Sequence, residues 1–291
     1  MKDFNEVLIV AGTHGNELSG LYIEKLIRDK QLNVQRKSFT VDTLVANPDA
    51  IVNNVRFLET DLNRQFGNQE QLFPHSKEKK IAQQLQLEYQ NKPKSLVIDL
   101  HNTTSRMGAT LILLARTPYY ERMGAYVKKC MPQANILFEN ESNWETHPYL
   151  CTMTEAGVMI EVEEQSHGVL THQSLLLMKK LLLNVLDFID HENQGLTLSL
   201  ADYEAYQLTE EVPFPLDEDG MRLATVHPTI CGLDFTEVKK GEPLLSAFKG
   251  LDLYWHGKQS TYPHFINEAA YSTKHIAMAL AEKINVRCTS Q

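Results

Sequence analysis

Hydrophobic and polar positions along the first two thirds of the chain fall into two alternating textures, short unbroken apolar runs and longer stretches of helical spacing. Val7-Leu8-Ile9-Val10-Ala11 is an apolar run bounded by Gly12, the pattern of a buried strand. Asn16 to Lys30 follows with Leu18, Leu21, Ile23, Leu26 and Ile27 near helical spacing, and predicts a helix. Val41 to Val45, closed by Asn47-Pro48, predicts a second strand, Lys77 to Glu88 a helix, and Ser95 to Leu100 a third buried strand. Leu111 to Leu114, Ile136 to Phe138 and Val158 to Val162 are further strands. Leu170 to Asp190 is a long helix that starts near Thr171 and stops before Asn193 and Gly195. Strands and helices in this order imply an α/β fold, a mixed sheet with helices on both faces.

After Gly195 the texture changes. Ala201 to Leu208, Arg222 to Val226 and Leu244 to Phe248 are short alternating segments, with turn signals at Asp217-Glu218-Asp219-Gly220 and Lys240-Gly241. Helical periodicity returns only over Ala277 to Lys283. The expectation is a catalytic domain over 1–195 and a smaller β-rich C-terminal domain over 196–291.

Composition narrows the class. A chain of 291 residues, 43% hydrophobic and 22% charged, can bury a large core. No run reaches the roughly eighteen apolar residues of a membrane span, because Lys179, Lys180 and Asn184 interrupt the richest one, Leu175 to Leu186. The first residues lack the apolar core of a secretory signal, and four scattered cysteines form no C-x-x-C pair, so a cytoplasmic protein with reduced thiols is expected. A formal charge of −9 argues against nucleic acid and anionic membrane as partners. It leaves room for a small anionic substrate, since a few arginines can dominate one pocket.

The segment Gly12-Thr13-His14-Gly15-Asn16-Glu17 follows a buried strand and opens a helix, the place where open α/β sheets bind ligands. Taken alone, H-x-x-E is common and reads as a surface His with a first-turn Glu. His101 changes this, because it stands directly after the apolar strand Ser95 to Leu100, where an ionisable side chain needs a partner. His14, Glu17 and His101 together make a His₂Glu set, three ligands with a fourth position left open, the pattern of catalytic zinc.

The strand–G-T-H-G-N-E–helix and strand–D-L-H-N-T-T segments resemble the zinc-binding motifs of the aspartoacylase and succinylglutamate desuccinylase family, within the zinc carboxypeptidase-like group. The likeness continues through Asn47-Pro48, Arg56, Asp61-Leu62-Asn63-Arg64, Ile160-Glu161-Val162 and Asn267-Glu268-Ala269-Ala270-Tyr271, and spans nearly the whole chain. It implies one Zn²⁺ per chain held by His14, Glu17 and His101, and it is compatible with a homodimer. Glu161 matches the general base, and Arg56 the residue that steadies the oxyanion. Asn63 and Arg64 match the pair that grips a substrate carboxylate, while Tyr271 and Lys274 match further positions near it, which implies that the C-terminal domain covers the cleft. Glu163, two residues beyond Glu161, is the rival base if the strand continues. Asp99 is a candidate to orient an imidazole from behind.

One region departs from the family. Aspartoacylases acting on N-acetylaspartate carry a Tyr and an Arg shortly before the general-base strand. Tyr149 fits the tyrosine position, but no arginine is present and Cys151 stands near its place. The family's frequent Gly-Pro is replaced by Glu163-Glu164. The leading expectation is deacylation of an N-acyl-L-aspartate, acetyl above all. The alternatives are a deacylase of another N-acyl amino acid, aromatic or succinylated, a peptide carboxypeptidase, or a non-catalytic module stabilised by its metal.

Overall fold

Among the described residues, nine strands form one mixed sheet, and each inner strand is apolar toward two different layers. The computed structural model describes residues 3–67 and 75–288. The order along the chain begins β1 (Glu6–Ala11), α1 (Leu18–Arg28), β2 (Thr40–Val45), α2 (Pro48–Val52), α3 (Lys77–Tyr89) and β3 (Ser95–Thr103). It continues with β4 (Ala109–Leu113), α4 (Pro118–Cys130), β5 (Asn135–Phe138), β6 (Ala156–Glu164) and α5 (His172–Asn193). Beyond these lie β7 (Tyr203–Pro213), β8 (Ala224–Val226), β9 (Pro243–Ala247), β10 (Leu253–Tyr254), β11 (Tyr262–His264) and β12 (Ile276–Val286).

The large sheet has the order β11-β12-β7-β5-β4-β6-β3-β1-β2. From the edge strand β2 inward, β2, β1, β3 and β6 run parallel, while β4 is antiparallel to β6. Alternation along β1 explains its unbroken apolar run. Val7 and Ile9 pack with α1, α4 and α5, whereas Leu8 and Val10 face the opposite way, with Ala82, Leu85 and Tyr89 of α3. Helices therefore cover both faces, as the patterning predicts. Among the described residues no helix is long and apolar enough to cross a membrane.

Residues after 195 do not form a separate layer. β7 joins the main sheet beside β5 through Leu137↔Tyr206 and Phe138↔Gln207, and β12 pairs with β7 along its length. The small sheet β10-β9-β8 stands apart, around Val226, Leu245 and Phe214.

The helical expectation for Ala277 to Lys283 is wrong: the segment is the middle of β12. Ala, Met, Leu, Glu and Lys favour helix intrinsically, but that preference is a few tenths of a kcal/mol per residue and tertiary pairing overrides it. Here Met278 and Leu280 pack into the C-terminal apolar cluster while Ala281 turns to the main core, so both faces of the strand are used. The periodicity also leaves α4 unassigned. Its start is marked by Thr117, whose hydroxyl accepts from the Tyr120 N–H, and by Pro118 in the first turn.

Candidate active site

The loop between β1 and α1 is held in one shape by close backbone approach. Gly15 lies so near α2 that a Cβ there would fall 2.2 Å from the carbonyl carbon of Ala50, and its N–H donates to Arg56 O at 3.2 Å. His14 and Glu17 are thereby brought to the C-terminal ends of β1 and β3. Glu17 occupies the N-cap position of α1 but caps nothing with its side chain. Its carboxylate is committed elsewhere: Oε1 lies 2.8 Å from His14 Nδ1 and 2.9 Å from Arg56 Nη1, and Oε2 lies 3.0 Å from His101 Nδ1. The Asn102 N–H also donates to Oε2, at 3.2 Å. β3 runs three residues past its expected end, so His101 belongs to the strand and its ring sits 4.9 Å from that of His14.

His14, Glu17 and His101 are each 3% exposed, and their potential ligand atoms all lie within 4.8 Å of one another. Both imidazoles turn Nδ1 inward. The outer nitrogens meet carboxylates: His14 Nε2 is 2.9 Å from Asp61 Oδ1, and His101 Nε2 is 2.8 Å from Asp99 Oδ2, the latter a charge contact without hydrogen-bond alignment. Asp99 Oδ1 accepts from the Thr13 hydroxyl at 2.7 Å. Carboxylates behind both imidazoles are the usual outer partners of metal-ligating histidines. Burial alone would raise the Glu17 carboxyl, but His14 and His101 hold it well below the usual range. Burial likewise opposes charge on His101, and Asp99 and Glu17 outweigh it, raising that imidazole well above its ordinary value. Two imidazoles and one carboxylate thus converge on one point, a donor set suited to a divalent cation, with Asp61, Asp99 and Arg56 around it.

Glu161 stands beside His101, its register partner across β3 and β6, and is not one of the clustered ligand residues. Burial pushes its carboxyl well above the ordinary value, with His101 pulling the other way. The rival Glu163 is turned aside by a β-bulge. Asn102 pairs with Val162 but Thr103 pairs with Glu164, so one residue is skipped, and Glu163 takes a left-handed φ of 44°. Its N–H donates to Gly108 O and its Oε1 accepts from Gln173 Nε2 at 2.9 Å, away from the cleft.

Residues 3–189 match the succinylglutamate desuccinylase/aspartoacylase catalytic domain, and residues 201–283 match the AstE/AspA barrel-sandwich hybrid domain. The chain belongs to the succinylglutamate desuccinylase/aspartoacylase family. An N-acyl-aromatic-L-amino acid amidohydrolase of Xenopus laevis is 35% identical over 96% of this chain and 94% of its own length. A probable aspartoacylase of Trichodesmium erythraeum is 34% identical over 99% of the chain and 100% of its own length. In three dimensions, the crystal structure of murine aminoacylase 3 superposes with a TM-score of 0.89 at 30% identity, covering 100% of both chains.

In this family member the cleft beside the ligand cluster encloses about 700 Å³ of empty space, part of it open to solvent. Arg56, Asn63, Arg64, Tyr149, Glu161 and Tyr271 all line it, together with the three ligand residues. Arg56 uses three of its five N–H donors on Glu17 and Asp61, leaving two. Asn63 is more constrained than its expected role suggests, since its Oδ1 accepts from the Leu150 N–H at 2.7 Å. Arg64 donates to Asn63 O and lies 5.0 Å over the Tyr149 ring, and among the described residues no carboxylate forms an ion pair with it. Lys274 is exposed on the 3-10 helix Ala269–Lys274 and does not line the cleft.

Several contributing residues escaped the sequence reading. Asp61 was seen only as part of a motif, yet it backs His14 and grips Arg56. Glu268 caps the 3-10 helix that carries Tyr271 and accepts from Thr103 at the end of β3 and from Thr104 and Ser105 just beyond it, fastening the C-terminal segment to the cleft. Glu139 and Glu211 also line the cleft. No spacing rule links these residues to their partners, which range from 5 positions away, for Asp61 and Arg56, to 165, for Glu268 and Thr103.

Proposed function

We propose that the chain is a zinc-dependent amidohydrolase that removes the acyl group from an N-acyl-α-amino acid. The observation that carries this reading is the convergence of His14 Nδ1, His101 Nδ1 and the Glu17 carboxylate, with both outer imidazole nitrogens backed by carboxylates. His14, Glu17 and His101 would hold the zinc, which when bound would supply Lewis-acid polarisation of the scissile carbonyl and a water acidified toward neutral pH. Glu161 takes the proton of the attacking water as the C–O bond forms, and delivers it to the amide nitrogen as the C–N bond breaks. Burial raises its carboxyl, which favours the second half of that transfer, the delivery of the proton. Arg56 lines the cleft with two N–H donors to spare, which serve the oxygen on which negative charge builds. Arg64 binds the α-carboxylate, its fork held over Tyr149.

The sequence points first to N-acyl-L-aspartate; the cleft favours the alternative, another N-acyl amino acid, and among those one with a single carboxylate. A dianion needs a second cation, and Arg64 is the one guanidinium of the lining not already ion-paired among the described residues. Relatives named for N-acyl-aromatic amino acids agree with a side chain that carries no second carboxylate. The test is chelation followed by reconstitution, with N-acetyl-L-phenylalanine and N-acetyl-L-aspartate as substrates. Activity should vanish with the metal, return with one zinc per chain, and be higher on the phenylalanine derivative. Activity in the stripped protein would sink the reading, and faster turnover of the aspartate derivative would restore the dianionic substrate.

A further inference from the structure

We infer that Glu139 and Glu211 set the side-chain specificity of the cleft, and that they select an N-acyl amino acid whose side chain ends in an amine or guanidinium. The inference rests on the deacylase reading above and names the substrate within it. With the acyl carbonyl at the ligand cluster and the α-carboxylate on Arg64, the side chain has to extend along the remaining wall. That wall leads outward. A second cavity adjoins the cleft and shares Glu139, Tyr149, Leu208 and Glu211 with it, adding Glu141 and Glu210 beyond them. Every charged group on the shared wall is a carboxylate.

Glu139 is 7% exposed, and the Tyr149 hydroxyl, at 3.1 Å, is the side-chain donor to its Oε2. A carboxylate accepts about four hydrogen bonds, and an ionised one held out of water without enough donors is costly. Burial accordingly pushes the Glu139 carboxyl upward, against the pull of Tyr149 and Arg64. A ligand cation arriving here removes that cost, whereas a ligand carboxylate adds to it. Glu211 stands at the exposed outer end of the same wall, and its field reaches both Tyr271 and Lys274. Lys274 feels the Glu211 charge but does not line the cleft, so along the lining itself the outer carboxylate faces no cation among the described residues. The apolar stretch between, with Tyr149 and Leu208, suits the methylenes of a long cationic side chain.

The experiment compares kcat/KM of the zinc-loaded protein for Nα-acetyl-L-lysine, the uncharged isostere N-acetyl-L-norleucine, and N-acetyl-L-aspartate. Lysine should exceed norleucine by about tenfold, as expected for one partly buried charge-assisted contact, with aspartate last. Glu211→Gln, at an exposed position, should shrink the lysine-to-norleucine ratio by about threefold, through KM for lysine rather than kcat. Glu139→Gln should shrink it further. Norleucine or aspartate turned over as fast as lysine would overturn the inference while leaving the deacylase reading intact, and so would an unchanged ratio in Glu211→Gln. Failure to hydrolyse any N-acetyl amino acid at full zinc loading would instead take down both.

Discussion

The two ends of the cleft are built differently. At the ligand end, His14, Glu17 and His101 sit at the edges of β1 and β3, and their polar atoms meet Asp61, Asp99, Arg56 and the Asn102 N–H. At the substrate end, Arg64, Tyr149, Glu139, Glu211 and Tyr271 come from two 3-10 helices, a loop and the ends of strands far apart in the chain. Arg64 has no ion pair there among the described residues, and Glu139 is short of donors. Rigid strand ends hold the groups that every substrate would need, and loosely partnered groups wait where substrates differ. If that contrast is real, substitutions at the ligand end should abolish turnover of all substrates, and those at the other end should redistribute it.

The largest effect belongs to Glu161→Gln. It removes the proton acceptor while keeping size and burial, and turnover of every N-acyl amino acid should fall by about a thousandfold or more. Zinc content, measured by atomic absorption, should stay at one per chain. Loss of zinc in the variant would make Glu161 a ligand and erase the line between ligand and base.

Next comes the pH dependence of stability at the substrate end. His264 is wholly buried, stacked on Phe235 at 5.4 Å, and precedes Phe265 of the cleft wall. Burial depresses its pKa to about 4. The folded state therefore binds fewer protons than the unfolded one, so this contribution is present above about pH 6.5 and is lost as pH falls through about 4. A shift of that size corresponds to roughly 3 kcal/mol. Asp234, raised to about 6 by burial, works in the other direction: its contribution is present below the ordinary carboxyl value and lost as pH rises through about 6. Comparing the unaltered protein with His264→Gln isolates the histidine. Urea unfolding between pH 4 and 7 should show a flatter acid slope in the variant, and an identical slope would mean that His264 is protonated without penalty.

How far the chain's own pattern reaches follows the same division. The ligand set was legible because each ligand stands where an apolar strand run ends in polar residues, a local signal. The strands of the main sheet were legible for the same reason, down to the unbroken runs of β1 and β3 that report burial on both faces. Glu163 stayed a rival because a one-residue bulge leaves no mark in the alternation. β12 read as helix because its residue types favour one, and only pairing with β7 and β11 decides otherwise. Glu139 with Tyr149 and Glu268 with Thr103 are contacts between segments, and nothing in either segment announces the other. Lys274 was expected near the substrate from the motif around it, yet its side chain lies outside the cleft lining.

Arg64→Gln sharpens the contrast from the substrate side. Removing the fork leaves the α-carboxylate without a cation, and kcat/KM should drop by about a hundredfold, mostly through KM, for every substrate with a free carboxylate. N-acetyl amino acid amides, which lack that charge, should lose much less. An equal loss on acids and amides would show that Arg64 acts on the fold of the cleft and not on the carboxylate.

The smallest effect falls on the residue that belongs to both ends. Asp61 Oδ1 meets His14 Nε2 and also accepts from the Asn63 N–H at 2.9 Å, opening the 3-10 helix that carries Arg64. Asp61 Oδ2 receives Arg56 through Nε and Nη2. Asp61→Asn keeps an oxygen for one of these donors but gives up the charge that His14 and Arg56 both feel. Zinc affinity should fall by about tenfold, the usual scale for loss of an outer carboxylate. KM should rise alongside it even at saturating zinc, because the one amide oxygen must serve the Asn63 N–H, His14 and Arg56, which Asp61 meets with two. If zinc weakens and KM does not move, the two ends are mechanically separate, and the contrast between them is sharper than a shared aspartate would allow.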